Sequence, residues 1–317
     1  MSDPDFVTAV ERTTYEAEIR RNRRRTALVM AGFVVLILLV GAAVDYLVQG
    51  GLVVVVIALV FAGVMAWVAY YRSDSVALAV SRARPADGPE FRRYHNLVEG
   101  LCIAAGLPKP RLYVVDDPSP NAFATGRDPE HAAIAVTTGL LATMNRVELE
   151  GVLAHELSHV KNYDIRIQTV AVVAVGAIAL MSDLGLRILF WSSIFGDDDD
   201  NGGNNNPAGI VVAVLAVALL VLAPLAAVGM QFALSRKREY LADAQAVAIT
   251  RYPPGLASAL RKLRDDGTVV RSASKATAQM WIETPLDVRP DGRGARLNRM
   301  FDTHPPLAER IALLEAM

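Results

Sequence analysis

His155-Glu156-Leu157-Ser158-His159, read together with Glu239-Tyr240-Leu241-Ala242-Asp243, decides how this chain must fold. Histidines four apart on a helix lie one turn apart on one face, close enough to hold a single metal ion. Glu156 sits beside that face, where it can take a proton from a metal-activated water. His-Glu-x-x-His on a helix is the zinc-hydrolase pattern, with the intervening glutamate as general base. Asn145 with Glu148 three residues on forms a capping box for that helix. Asn162 and Asp164 stand at its far end, and Asn162 shares the side of the helix that faces the metal, as a cap or a neighbour of the ligands.

A catalytic zinc needs three protein ligands and one open position. His95, on an amphipathic helix, and His131, in a turn, are poor third ligands. Glu239 is better, because Asp243 lies one turn further along the same face and can accept the N–H of a metal-bound imidazole. The single cysteine, Cys102, excludes disulfides and multi-cysteine zinc sites and reads as a small buried residue.

The chain is 53% hydrophobic, with a mean hydropathy of +0.30, too apolar for an ordinary soluble protein. A net charge of −1 gives no basic field for nucleic acid. Apolar runs at Ala27–Val44, Gly51–Tyr71 and Gly209–Phe232 read as membrane spans. A fourth, Ile167–Phe195, is weaker, and an interfacial helix is the other reading of it. Its Asp183 and Arg187 are spaced to pair on one helix face. Arg20, Arg21 and Arg23–Arg25 precede the first span, Arg72 follows the second, and Arg236, Lys237 and Arg238 follow the last. By the positive-inside rule both polar portions are cytoplasmic and the acidic loop 197–206 is outside. The first apolar run reads as an anchor rather than a removed signal peptide.

The expected fold is α+β and mainly helical. A zincin-like metalloprotease domain with a small β-sheet is anchored by four transmembrane helices. Residues 1–26 form a cytoplasmic polar tail and 27–71 a transmembrane hairpin. The first part of the protease domain is 72–166, a second hairpin with its acidic external loop is 167–232, and the domain resumes over 233–317. Within it, a helix opens at Pro89 and stops at Gly106, Arg111–Val115 and Ala132–Thr137 are β-type runs, and a short helix covers Leu307–Ala316.

Asn96–Thr169 with Pro120-Asn-Ala-Phe-Ala-Thr-Gly126, the His155 motif and Ser235–Asp243 together resemble the HtpX-type membrane zinc metalloproteases, relatives of the CAAX prenyl proteases. The resemblance covers nearly the whole chain from the first span onward. It implies one zinc ion per chain held by His155, His159 and Glu239, Glu156 as catalytic base, and Asp243 supporting a ligand. It implies that Asn121, Ala122, Phe123 and Ala124, in the segment up to Gly126, form an edge strand against which an extended substrate lies. His304 and Arg310 match a His-Pro…Arg element that stabilises the oxyanion or the substrate backbone.

The implied activity is zinc-dependent endopeptidase cleavage of membrane-protein or unfolded polypeptide substrates at the cytoplasmic face of a bacterial plasma membrane, in the manner of a quality-control enzyme. The partners are those polypeptides and the lipid bilayer, with no nucleic acid. Two other readings stand beside it: an intramembrane protease, and a catalytically inactive zinc-binding membrane scaffold. Polar residues Asn145, Arg146, Glu148, Glu150 and Lys161 around the motif count against the first, and the presence of Glu156 counts against the second.

Overall fold

The computed structural model describes residues 4–48, 51–195, 207–232, 237–266, 268, 280–282 and 305–317. Helix α1 (Pro4–Val48) runs without a break from the charged N-terminal stretch into the first apolar run. No glycine or proline interrupts the chain between Asp5 and Ala31, so the helix propagates across the boundary at residue 26 that composition suggests. Helix α2 (Leu52–Tyr71) follows, entered through Gly51, whose positive φ of 64° makes the reversal.

Helices α7 (Asp164–Phe195) and α8 (Pro207–Phe232) form the second apolar pair. All four helices are long and apolar enough to cross a membrane. The weaker hydropathy of α7 has a structural cause. Its most apolar window is 61% buried inside the protein, against 17% for α2. An inner helix touches lipid on little of its surface and tolerates buried Gln168, Thr169 and Ser182. Asp183 and Arg187 do pair, Oδ2 to Nε at 2.7 Å, on its exposed side.

The polar domain begins with α3 (Ser73–Val80), then β1 (Arg84–Pro85), α4 (Arg92–Ala105), β2 (Arg111–Val115), β3 (Ala122–Gly126) and β4 (Ala132–Thr137). Strand order is β1-β2-β4-β3. Strand β2 is parallel to β4 with Val114 opposite Val136, and β3 returns antiparallel to β4 with Phe123 opposite Ala135. The two expected β-runs are therefore the central parallel pair, and the segment between them supplies the edge strand. Helices α5 (Thr138–Thr143), α6 (Arg146–Lys161), α9 (Lys237–Thr250), α10 (Pro253–Asp266) and α11 (Leu307–Glu315) complete the described elements.

One sheet face, with Leu112, Val114, Ile134 and Val136, packs with Tyr94, Val98, Leu153 and Leu157 of α4 and α6. The other face, with Val115, Phe123 and Ala135, meets Ala77 and Leu78 of α3 and Val172 of α7. A membrane-length helix is thus part of the domain's own core.

Helix α6 opens with the capping box: Asn145 Oδ1 accepts from the Glu148 amide at 3.0 Å, and Glu148 Oε2 accepts from the Asn145 amide at 2.8 Å. Its residues 148 and 149 and 151–160 are all buried. That burial depends on close approach of α10. A Cβ on Gly151 would lie 2.7 Å from the Leu256 amide nitrogen, and one on Gly255 would lie 2.8 Å from the Val147 carbonyl oxygen. Gly151→Ala should therefore destabilise the fold by about 1–3 kcal/mol through overpacking. Gly100→Ala, where the added carbon meets nothing within 4 Å, should be neutral or stabilising by about 0.5–1 kcal/mol. Chemical denaturation of the two detergent-solubilised variants checks the contrast.

Candidate metal centre

His155 and His159 project from α6 with their Nε2 atoms 3.2 Å apart and their rings at 90°. Glu239, in the first turn of α9, closes the triangle: Oε2 lies 3.6 Å from His155 Nε2 and Oε1 lies 3.7 Å from His159 Nε2. These three residues are all buried and their ligand-type atoms lie within 4.8 Å of one another. Tetrahedral bonds of about 2.0–2.1 Å put ligand atoms roughly 3.3–3.4 Å apart, so the spacing and the donor set fit zinc.

The charges fit a divalent cation as well. Among the described residues of this cluster, Glu156, Asp164, Glu239 and Asp243 are four buried carboxylates against the two buried guanidiniums of Arg238 and Arg310. Against these guanidiniums alone the carboxylates are two in excess, and burying such charge is costly unless cations offset it. The same field acts on His155. Burial pushes its proton off, but hydrogen bonds to Asp243 and Glu239 outweigh this and lift its pKa from 6.5 to about 9.

Each imidazole is held from behind by a carboxylate. His155 Nδ1 lies 2.9 Å from Asp243 Oδ1, and His159 Nδ1 lies 3.2 Å from Asp164 Oδ2. In the neutral ring such contacts place the proton on Nδ1 and leave Nε2 free to bind a metal. Arg310 Nη2 also approaches His155 Nδ1, at 3.4 Å. That nitrogen cannot accept from arginine while it donates to Asp243, and the shorter carboxylate contact wins.

Arg310 is fully buried and bidentate on Asp243, Nη2 to Oδ1 at 2.7 Å and Nε to Oδ2 at 2.9 Å. Burial pushes the Asp243 pKa up, but the charge and hydrogen bonds of Arg310, with the hydrogen bond from His155, outweigh this and lower it. The remaining nitrogen of Arg310, Nη1, lies 3.6 Å from Glu239 Oε2 and 3.4 Å from the Ile282 carbonyl oxygen. His304 lies outside the described residues. Glu156 is buried beside the cluster, close enough for its charge to act on Arg310 and on Tyr94.

Asn162 takes the first of the two roles its spacing allows, that of a cap. It caps α6, and its amide exchanges hydrogen bonds with Gln245 of α9 at 2.8 and 3.1 Å. It ties the histidine helix to the glutamate helix, while Asp164, two residues on, makes the imidazole contact. Sequence reasoning gave Asp164 no role. The only signal was an acid five residues past His159, and its reach depends on the left-handed Tyr163 (φ 59°) that folds α7 back against α6.

Asn121 is buried, with Oδ1 accepting from the Ala122 amide at 3.0 Å. Ala122, Phe123 and Ala124 lie on the outer strand of the sheet. The free edge of that strand carries residues of this same chain. Phe123 forms an antiparallel bridge with Trp281, the Ile282 amide donates to the Ala122 carbonyl at 2.9 Å, and the Phe123 and Trp281 rings meet edge to face at 4.7 Å. Nothing in the spacing of Trp281 announced this.

Residues 89–317 match the profile of Peptidase family M48. The chain is 45% identical to the Protease HtpX homolog of Limosilactobacillus fermentum over 95% of its own length and 99% of that protein. It is 41% identical to the Protease HtpX homolog of Caldanaerobacter subterraneus subsp. tengcongensis over 97% and 99% of the two chains. The crystal structure of S. mikatae Ste24p superposes with a TM-score of 0.48 at 20% identity, covering 94% of this chain and 67% of that one. The family profile over residues 89–317 and the identities to the HtpX homologs, with the membrane-length helices and the buried His-Glu-x-x-His helix, show that the chain belongs to peptidase family M48, as one of its HtpX-type membrane metalloproteases.

Proposed function

We propose that this chain is a zinc endopeptidase that cleaves membrane-protein or unfolded polypeptide segments, misfolded ones among them, at the cytoplasmic face of a bacterial plasma membrane. The observation that carries the reading is the convergence of His155, His159 and Glu239 on one buried point, with each histidine backed by a carboxylate. Zinc bound by these three would supply a Lewis acid that polarises a carbonyl and acidifies water. Glu156 accepts the proton of the attacking water and delivers it to the leaving amine nitrogen. Asp243, fixed by Arg310, keeps the His155 ring in its ligating orientation. Arg310, whose Nη1 lies 3.4 Å from the Ile282 carbonyl oxygen, is proposed as a donor to a substrate carbonyl from the family pattern. His304 is proposed as its companion from the family pattern alone.

Helix α1 supports the cytoplasmic side. Asn22 lies within the arginine-rich stretch 20–25 and hydrogen-bonds to Asp164, so the cluster sits at the basic-flanked start of the apolar span Arg24–Leu47 of that helix. Basic flanks favour the cytoplasm. In chain order α6 leads into α7 and α9 follows α8, and their cluster residues meet, which supports substrates presented at the membrane surface.

Glu156→Gln should retain zinc by elemental analysis and lower kcat by about 10²–10⁴-fold. Hydrolysis at the wild-type rate by the metal-replete variant would remove Glu156 from the mechanism. A substrate strand added to β3 needs the groups that Trp281 and Ile282 now occupy. Trp281→Ala should therefore lower KM for a peptide substrate several-fold, and a raised KM would make residues 280–282 part of the substrate wall instead.

The His155 pKa sets opposite pH trends. Because about 9 exceeds its ordinary 6.5, the stability it lends the metal-free fold is complete below pH 6.5. That stability is lost as the pH rises through about 9. Zinc competes with the same proton, so zinc affinity should rise over that interval. Thermal melts of the apo-protein and chelator-competition titrations measure the two trends.

A further inference from the structure

We propose that Asn22, on α1, is a positioning residue for the metal ligand His159 and acts through Asp164. The inference rests on the reading of His155, His159 and Glu239 as zinc ligands. Asn22 is 2% exposed. Its Nδ2 donates to Asp164 Oδ1 at 2.8 Å and to the Asn162 carbonyl at 2.9 Å. Both partners are acceptors, which fixes the amide: the flipped rotamer would set oxygen against oxygen on both sides. Asn22 Oδ1 has no hydrogen-bond partner among the described residues. A leucine of nearly the same shape would avoid burying that oxygen, so the position is explained by the two donated bonds and not by packing.

Those bonds decide where Asp164 points. Its Oδ2 faces His159 Nδ1 at 3.2 Å, while Oδ1 has Arg238 Nη1 at 3.6 Å, beyond hydrogen-bond reach. Arg238 Nη1 is itself buried without a hydrogen-bond partner among the described residues. Arginine and imidazole therefore compete for one carboxylate. The Asn22 amide holds Oδ1 in place, so Oδ2 stays on the histidine. Without it, Asp164 can rotate toward Arg238 and release the His159 Nδ1 proton, and with it the ring orientation. The second bond, to Asn162 O, secures the left-handed turn at Tyr163 that delivers Asp164. A ligand of the metal is thus tuned by a membrane helix that precedes the family-matched region 89–317.

The test uses the full chain in lipid nanodiscs, with Asn22→Leu, Asn22→Asp and a neighbour control, Thr26→Val. Thr26 is buried on the same helix, and its hydroxyl bonds to the Asn22 carbonyl at 2.9 Å. Both Asn22 variants should lose zinc to a chelator about 10–100-fold faster than wild type. They should also shift the visible absorption of the Co2+-substituted protein and lower kcat with KM unchanged, while Thr26→Val behaves as wild type. Wild-type zinc loss and Co2+ spectra in a folded Asn22 variant would overturn the proposal. An equal change in Thr26→Val would also overturn it, as a general packing effect. If the leucine variant does not fold, the aspartate variant, which keeps the shape and removes both donors, decides alone. A wild-type protein that binds no zinc would overturn the ligand reading itself, before any variant is compared.

Discussion

Buried negative charge, only half neutralised by arginine, is the constraint on which the rest of this structure depends. Glu156, Asp164, Glu239 and Asp243 are buried around two imidazoles with Arg238 and Arg310 as their only guanidinium partners among the described residues of the cluster. Such a cluster does little for stability, because desolvating charges costs about as much as their pairing returns. Three of its residues, His155, His159 and Glu239, could together hold a metal ion. Neighbouring elements hold the cluster in place: Arg310 of α11 on Asp243, Gln245 of α9 on Asn162, and the glycine contact of α6 with α10.

The membrane helices are part of that scaffold. Helix α7 starts three residues after α6 ends, and its inner face packs on the back of the sheet through Val172. Thr169 of α7 is hydrogen-bonded to Thr125 of the edge strand at 3.1 Å. Helix α1 reaches the ligand sphere through Asn22. The metal-binding point and the strand beside it therefore hold a set position relative to the hydrophobic helices.

Local chemistry explains what was legible beforehand. The capping box at Asn145, the four-residue histidine spacing, the Glu239–Asp243 spacing and the four apolar runs are each contained within one element, where periodicity alone decides the neighbour. Asn162 shows the limit. Seven residues past His155 it shares a helix face, yet the helix ends there and its side chain turns to Gln245. Asp164 lies beyond that end, where helical periodicity carries no information. Asn22 and Trp281 are remoter still, since their partners lie at sequence separations that no spacing rule spans.

By itself the sequence determined the class of site: two imidazoles one turn apart, a carboxylate pair on a second helix, and hydrophobic lengths that flank both. These follow from helix geometry and from the free energy of apolar burial, both short-range in sequence. Only the tertiary structure decided which carboxylate backs His159, which donor holds that carboxylate, and which segment lies on the outer edge of β3. Those outcomes depend on how buried donors and acceptors pair once distant elements pack. A buried polar group takes the partner that the folded chain brings within reach.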